Sequence, residues 1–183
     1  MILIYQQKRR FEMEIRKATF ADLHEIMEIY AWAREFMAGT GNPKQWGATG
    51  WPPRELIQQD IEEQKCYVCM DNGRIGAVFF YDCGADVDPC YAVIEDGAWL
   101  DKSPYGVVHR IAAAKGTNGM GTFCINWAYE QCGHLRMDTH PDNTVMRSLL
   151  RKLGFHRCGI IHIVEDNDPR IAYEKCSVSK EKE

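Results

Sequence analysis

No stretch of this 183-residue chain approaches the roughly 20 consecutive apolar residues that a bilayer-spanning helix needs. No membrane partner is therefore expected. Excess positive charge is missing as well: 22 Lys and Arg stand against 26 Asp and Glu, a net charge of -4. Without a basic field, a nucleic-acid partner is not expected either. Repeats, low-complexity tracts and linker-like composition are also absent. One domain over residues 1–183 is the expectation, with 1–12 as a peripheral extension and 177–183 as a polar tail. The opening "MILIYQQKRR" lacks the order of a secretory signal, because its short apolar run precedes the basic residues instead of following them. Met13 offers an alternative start. A cytoplasmic location with reduced thiols follows as an expectation.

Eight cysteines raise the question of a metal. Only one CxxC is present, Cys66 and Cys69 in "CYVC", and no second pair completes a four-ligand zinc site. That segment also reads as a strand, in which positions i and i+3 face opposite sides. Buried free thiols, and no metal, are the expectation.

What is present is a clear succession of elements. "EIRKA" (14–18) reads as a short strand, and "TFAD" (19–22) matches a helix-start box with Thr19 as cap. Leu23, Ile26, Met27 and Tyr30 follow at helical spacing. "GTGNPKQWGATGWPP" (39–53) is loop by composition, and Pro53 suits the first turn of a second helix. "CYVCM" (66–70) and "RIGAVFFYDC" (74–83) form a hairpin about Asn72-Gly73. Residues 84–104 show no regular pattern. "YGVVHRIAA" (105–113) is a strand. Met120, Phe123, Cys124, Trp127 and Ala128 mark an amphipathic helix, whose apolar face makes Cys124 read as core and not as a nucleophile. "HLRMDT" (134–139) is a strand, "NTVMRSLLRKLGF" (143–155) a helix stopped by Gly154, and two strands follow around "CGIIHIV" and "RIAYEKC". The order is that of a mixed α/β (α+β) domain.

The loop between the strand ending at Ala113 and the next helix carries Gly116, Gly119 and Gly121. Such a loop lets backbone N–H groups converge at a helix N-terminus, which suits a phosphate. A glycine-rich connecting turn is the other reading. Two nucleotide motifs fail here: no Lys follows Gly121 as a Walker loop requires, and a dinucleotide fingerprint begun at Gly119 meets Cys124 where glycine is needed.

Residues 116–121 (Gly-Thr-Asn-Gly-Met-Gly) resemble the phosphate loop of the GNAT superfamily of N-acetyltransferases, Gln/Arg-x-x-Gly-x-Gly/Ala. Gly116 departs from the pattern, and Lys115 lies beside it. "DTHPDNTVMRSLLRKLGF" (138–155) resembles the strand-end, Asn, helix and Gly-Phe block of the same superfamily. The resemblance implies a mostly antiparallel central sheet of about six to seven strands flanked by about four helices. It implies acetyl-CoA as acyl donor and a small-molecule or peptide amine as acceptor. The pyrophosphate would rest on Gly116, Thr117, Asn118, Gly119, Met120, Gly121 and Thr122, the pantetheine arm beside Ile111, Ala112 and Ala113, with Asn143 in contact. A homodimer is the commonest soluble assembly.

Direct acyl transfer needs a base, because an amine of pKa roughly 10 is protonated near neutral pH. Glu95 and Asp96 are candidates, although they read equally well as a solvated turn before Gly97. His109 is next; its strand's alternation does not say whether it faces core or cleft. Many family members carry an acid Tyr where this chain has Leu150, so His140 and Tyr173 are substitutes to consider. Trp46 and Trp51, with Trp99 and Tyr105 opposite, are candidates for the acceptor walls or for packing. The departures at Gly116 and Leu150 keep a second function open, a non-catalytic acyl-CoA-binding or sensing module.

Overall fold

Period-two alternation along the apolar strands gives a sheet with two buried faces. In the computed structural model, which describes residues 13–47, 49–163 and 168–177, the strands are β1 (Met13–Lys17), β2 (Cys66–Asp71), β3 (Arg74–Gly84), β4 (Tyr105–Ala113), β5 (His134–Thr139), β6 (His156–His162) and β7 (Pro169–Cys176). The helices are α1 (Leu23–Gly39), α2 (Arg54–Glu62), α3 (Met120–Cys132) and α4 (Thr144–Lys152). The proposed extension 1–12 and residues 178–183 of the tail lie outside the described residues. Among the described residues, no helix is long and apolar enough to cross a membrane.

The seven strands form one sheet in the order β1-β2-β3-β4-β5-β7-β6. Every neighbouring pair is antiparallel except β4 and β5, which α3 connects as a parallel crossover. On one face, α1 and α2 pack Leu23, Ile26, Tyr30 and Ile57 against Val68, Val78 and Ala112. On the other, α3 and α4 pack Cys124, Ile125 and Leu150 against Phe79, Leu135 and Met137. Cys66 belongs to the first layer and Cys69 to the second, so the CxxC pair is divided by the sheet.

Two polar clusters fasten this frame. Asp22 accepts both guanidinium nitrogens of Arg16 at 2.8 Å and also the Thr19 amide at 2.8 Å. The Arg16 hydrogen bond, stronger than the opposing effect of burial, holds the Asp22 carboxyl down at about 2. Farther along the sheet, the fully buried Glu174 of β7 accepts from Arg136 Nε at 2.9 Å, pairs with His134 Nε2 at 2.6 Å, and takes the Leu100 amide. The Arg136 guanidinium lies between the rings of Trp99 and Tyr105, 4.2 and 4.0 Å from their centroids. One carboxylate thus ties the 84–104 excursion to both β5 and β7.

Because the folded Asp22 has a depressed pKa, its contribution is complete above the ordinary carboxylate range and fades as pH falls toward about 2. Asp22→Asn should cost about 1–2 kcal/mol near neutral pH and flatten the acid limb of a denaturation-midpoint series. Arg136→Met leaves the Glu174 charge with less compensation and should lower unfolding free energy by about 3–5 kcal/mol, measured by urea titration.

Candidate active site

β4 and β5 pair only at Gly106↔Leu135 and Val107↔Arg136. Beyond that point β4 carries a bulge. Val78 of β3 faces Ala112, whereas Phe80 faces His109, so one β3 residue opposes both Arg110 and Ile111. Arg110 takes the extra position with φ +52°, a left-handed conformation that an arginine rarely adopts. Two contacts hold it there. The buried Tyr30 hydroxyl of α1 donates to the Arg110 carbonyl at 2.9 Å, and the Arg110 guanidinium meets Asp60 of α2 at 2.7 Å. The bulge sends His109 and Arg110 to the same side of the sheet, into a cleft of about 710 Å³ that both line with Asp138, Thr139 and Asn143.

His109 stands between two carboxylates. Its Nε2 lies 2.9 Å from Asp88 Oδ2, and its Nδ1 lies 3.8 Å from Asp138 Oδ1, beyond hydrogen-bond reach. Tyr91 donates its hydroxyl to Asp138 Oδ1 at 2.8 Å, and Cys90 donates its amide to Asp88 Oδ1 at 2.8 Å. Burial works to raise both acids. At Asp88 the hydrogen bond and charge of His109, with the Cys90 amide, prevail and hold the carboxyl below its ordinary value. At Asp138 burial prevails and pushes the carboxyl up, against the pull of His109 and Tyr91. An ionised Asp88 accepts from Nε2–H, which leaves the Nδ1 lone pair of a neutral His109 available as a base. Burial likewise raises Asp60, with Arg110 opposing it.

The glycine loop follows β4 directly. Ala114 N bonds to Gly76 O at 2.8 Å, and Thr117 Oγ1 bonds back to Ala114 O at 2.7 Å. Gly116 and Gly119 have φ +80° and +76°, which accounts for glycine at both positions and for the lack of an Arg or Gln at 116. Gly121 lies inside the first turn of α3, where an added Cβ would come within 3.0 Å of Leu149 Cδ2. No side chain caps α3. Its first N–H groups at Met120, Gly121 and Thr122 are therefore the donors an anion would use, and this donor set fits a pyrophosphate. Lys115 turns elsewhere, with its ammonium 4.6 Å above the Trp32 ring of α1.

Of the other expected site residues, Ile111, Asn143, Trp46 and Trp51 line the cleft. Asn143 Oδ1 caps α4 through the Met146 amide at 3.0 Å, and its Nδ2 donates to Gln45 Oε1 at 3.1 Å. Glu95, Asp96, Trp99, Tyr105 and His140 are not in the lining. Glu95 bridges to Ile160 of β6, because Gly97 and Gly159 let the two backbones approach closely. Trp99 and Tyr105 flank Arg136. His140 accepts the Asp142 amide at 3.1 Å, and Leu150 is fully buried. Sequence reasoning missed Asp88, Asp138, Tyr91, Asp60 and Arg110. For Asp88 a signal existed: Asp88-Pro89 begins a turn that its own side chain caps.

No family model matches the sequence, and no curated protein matches it. Solved structures do. An acetyltransferase of the GNAT family from Streptococcus agalactiae is 30% identical over 91% of this chain and 97% of its own, with a TM-score of 0.81. A putative acetyltransferase from Staphylococcus aureus is 24% identical over 88% and 97%, with a TM-score of 0.64. Arabidopsis thaliana NAA60, solved in complex with acetyl-CoA, is 10% identical over 91% and 100%, with a TM-score of 0.62, and shares the fold. The splayed β4–β5 pair, the uncapped glycine loop and the first of these likenesses lead to one conclusion: the chain belongs to the GNAT family of acetyltransferases.

Proposed function

We propose that the protein transfers an acetyl group from acetyl-CoA to a primary amine of a small molecule or peptide, directly, within a ternary complex. The observation that carries this reading is the bulge at Arg110, which brings His109, tethered to Asp88, into the cleft that opens where β4 leaves β5. In this reading the N–H groups of residues 116–122 bind the pyrophosphate. The backbone of Ile111 to Ala113 receives the pantetheine arm in the manner of an added strand, and an N–H near Ile111 or Ala112 polarises the thioester carbonyl.

The acceptor arrives as an ammonium and gives its proton to Nδ1 of His109, while Asp88 stabilises the imidazolium. The amine nitrogen then bonds to the acetyl carbon. The carbon–sulfur bond breaks with its electron pair on sulfur, the nitrogen gives up its second proton to the departed thiolate, and the neutral amide keeps the acetyl group. Leu150 offers no hydroxyl for the departing sulfur, which leaves as a thiolate whose parent thiol has a pKa of about 8.5.

His109→Ala should lower kcat by about 10²–10⁴-fold with an unchanged Kd for acetyl-CoA, and Asp88→Asn should give a smaller loss of the same kind. Thiol release and calorimetry separate the two quantities. If the wild-type chain binds acetyl-CoA but turns over no member of an amine panel, the non-catalytic acyl-CoA-binding reading replaces this one.

The loop yields a ranking. Gly119→Pro and Gly121→Val should weaken acetyl-CoA about tenfold or more, through lost backbone conformation and collision with Leu149. Lys115→Ala should change it less than about twofold, since that ammonium rests on Trp32. The reversed order in calorimetry would refute backbone recognition of the phosphates.

A further inference from the structure

We infer that the acceptor is a compact monoamine with an apolar body and no carboxylate, an inference that rests on the acetyl-transfer reading. Charge pairing in the cleft carries it. Among the described lining residues the permanently cationic groups are Arg110 and Arg170. Each is already matched. Arg110 Nη2 is 2.7 Å from Asp60 and its guanidinium covers the Phe80 ring at 4.6 Å, while its Nε is buried without a hydrogen-bond partner and out of reach of the cleft's solvent. Arg170 Nη1 is 2.8 Å from Asp168 and 3.3 Å from the Pro169 carbonyl. A carboxylate on the acceptor would enter the cleft without a cation of its own, and a buried unpaired charge is strongly disfavoured.

The opposite sign is provided for. Outside the Arg110–Asp60 and Arg170–Asp168 pairs, the carboxylates of the cleft are Asp88, bound to His109 Nε2, and Asp138, which accepts from Tyr91, and both stand at His109, where the acceptor nitrogen must lie. One ammonium complements them. A second ammonium on the same molecule would have to lie along the rest of the wall. That wall offers no further carboxylate: Met37, Trp46, Trp51, Val87 and Ile163 are apolar, and Gln45, Thr49, Thr139 and Asn143 are polar but uncharged. The volume of about 710 Å³ must also admit the acyl end of the donor, so the acceptor shares a cleft of ordinary small-ligand size. The ammonium gives one proton to His109, the nitrogen gains the acetyl group and passes its second proton to the thiolate that carries the electron pair of the broken bond, and the product leaves as a neutral apolar amide.

The test uses the full chain, with acetyl-CoA binding established first by calorimetry on the same sample. Thiol release is then measured with phenethylamine, hexylamine, phenylalanine, 1,6-diaminohexane and a tripeptide with a free N-terminus. Phenethylamine should exceed phenylalanine in kcat/KM by about a hundredfold, and hexylamine should exceed the diamine by about tenfold, because in each comparison the extra charge finds no partner. Asp60→Asn releases Arg110 and should narrow the phenethylamine to phenylalanine ratio. Equal or better turnover of phenylalanine, the diamine or the peptide overturns the inference, as does an unchanged ratio in a folded Asp60→Asn variant. Acetyl-CoA binding with no amine accepted overturns this inference together with the acetyl-transfer reading, in favour of the acyl-CoA-binding one, while turnover of only the phenylalanine, diamine or peptide overturns this inference alone. Absence of acetyl-CoA binding overturns the acetyl-transfer reading and this inference with it.

Discussion

The conformation of one residue governs the rest of the site. Arg110 is held in the left-handed region, and the strain is balanced by two buried contacts from the helical layer, the Tyr30 hydroxyl and the Asp60 carboxylate. Remove that bulge and the alternation along β4 resumes. His109 and Arg110 would then face opposite sides of the sheet, and the acids that surround His109 would meet a different side chain. The parallel pairing of β4 and β5 stops three residues before the bulge. The strands part there, with the exposed backbone facing the cleft instead of being sealed by a neighbour.

The 84–104 excursion supplies the other half of the site and has little secondary structure to hold it. Its order comes from side chains. Asp88 caps its own turn and engages His109, Tyr91 reaches Asp138, and Leu100 is anchored on Glu174. Trp99 adds a hydrogen bond from its indole to the Tyr91 carbonyl at 2.9 Å. A segment fixed through charged groups at its two ends can place a carboxylate near an imidazole more accurately than hydrophobic packing alone, because hydrogen bonds carry direction.

Much of the frame was legible before any coordinates. The spacing of Phe123, Cys124 and Trp127, the Asn72-Gly73 turn and the Gly154 stop each encode a local decision, and local decisions leave local patterns. The glycine loop was legible for the same reason, since Gly116 and Gly119 answer to their own backbone angles. The surroundings of His109 were not. Asp60, Asp88, Arg110 and Asp138 acquire their meaning from pairings across 21 to 50 positions of chain, as in Asp60 with Arg110 and Asp88 with His109. Nothing in their immediate neighbours marks those pairings. Trp99 and Tyr105 show the converse: aromatic residues near a predicted cleft packed around a buried guanidinium, because that cation needed two faces as well as a carboxylate.

The hydrogen bond from Asn143 to Gln45 spans 98 positions and joins the N-terminus of α4 to the loop that carries Trp46 and Trp51. Trp46 in turn packs edge-on against Tyr30, with ring centroids 5.8 Å apart, and Tyr30 holds the bulge. The two walls of the cleft therefore share a continuous set of contacts. A ligand on one wall that shifts Gln45 changes the free energy of arranging the other wall. Thermodynamic reciprocity then requires a ligand on the second wall to return the same coupling to the first.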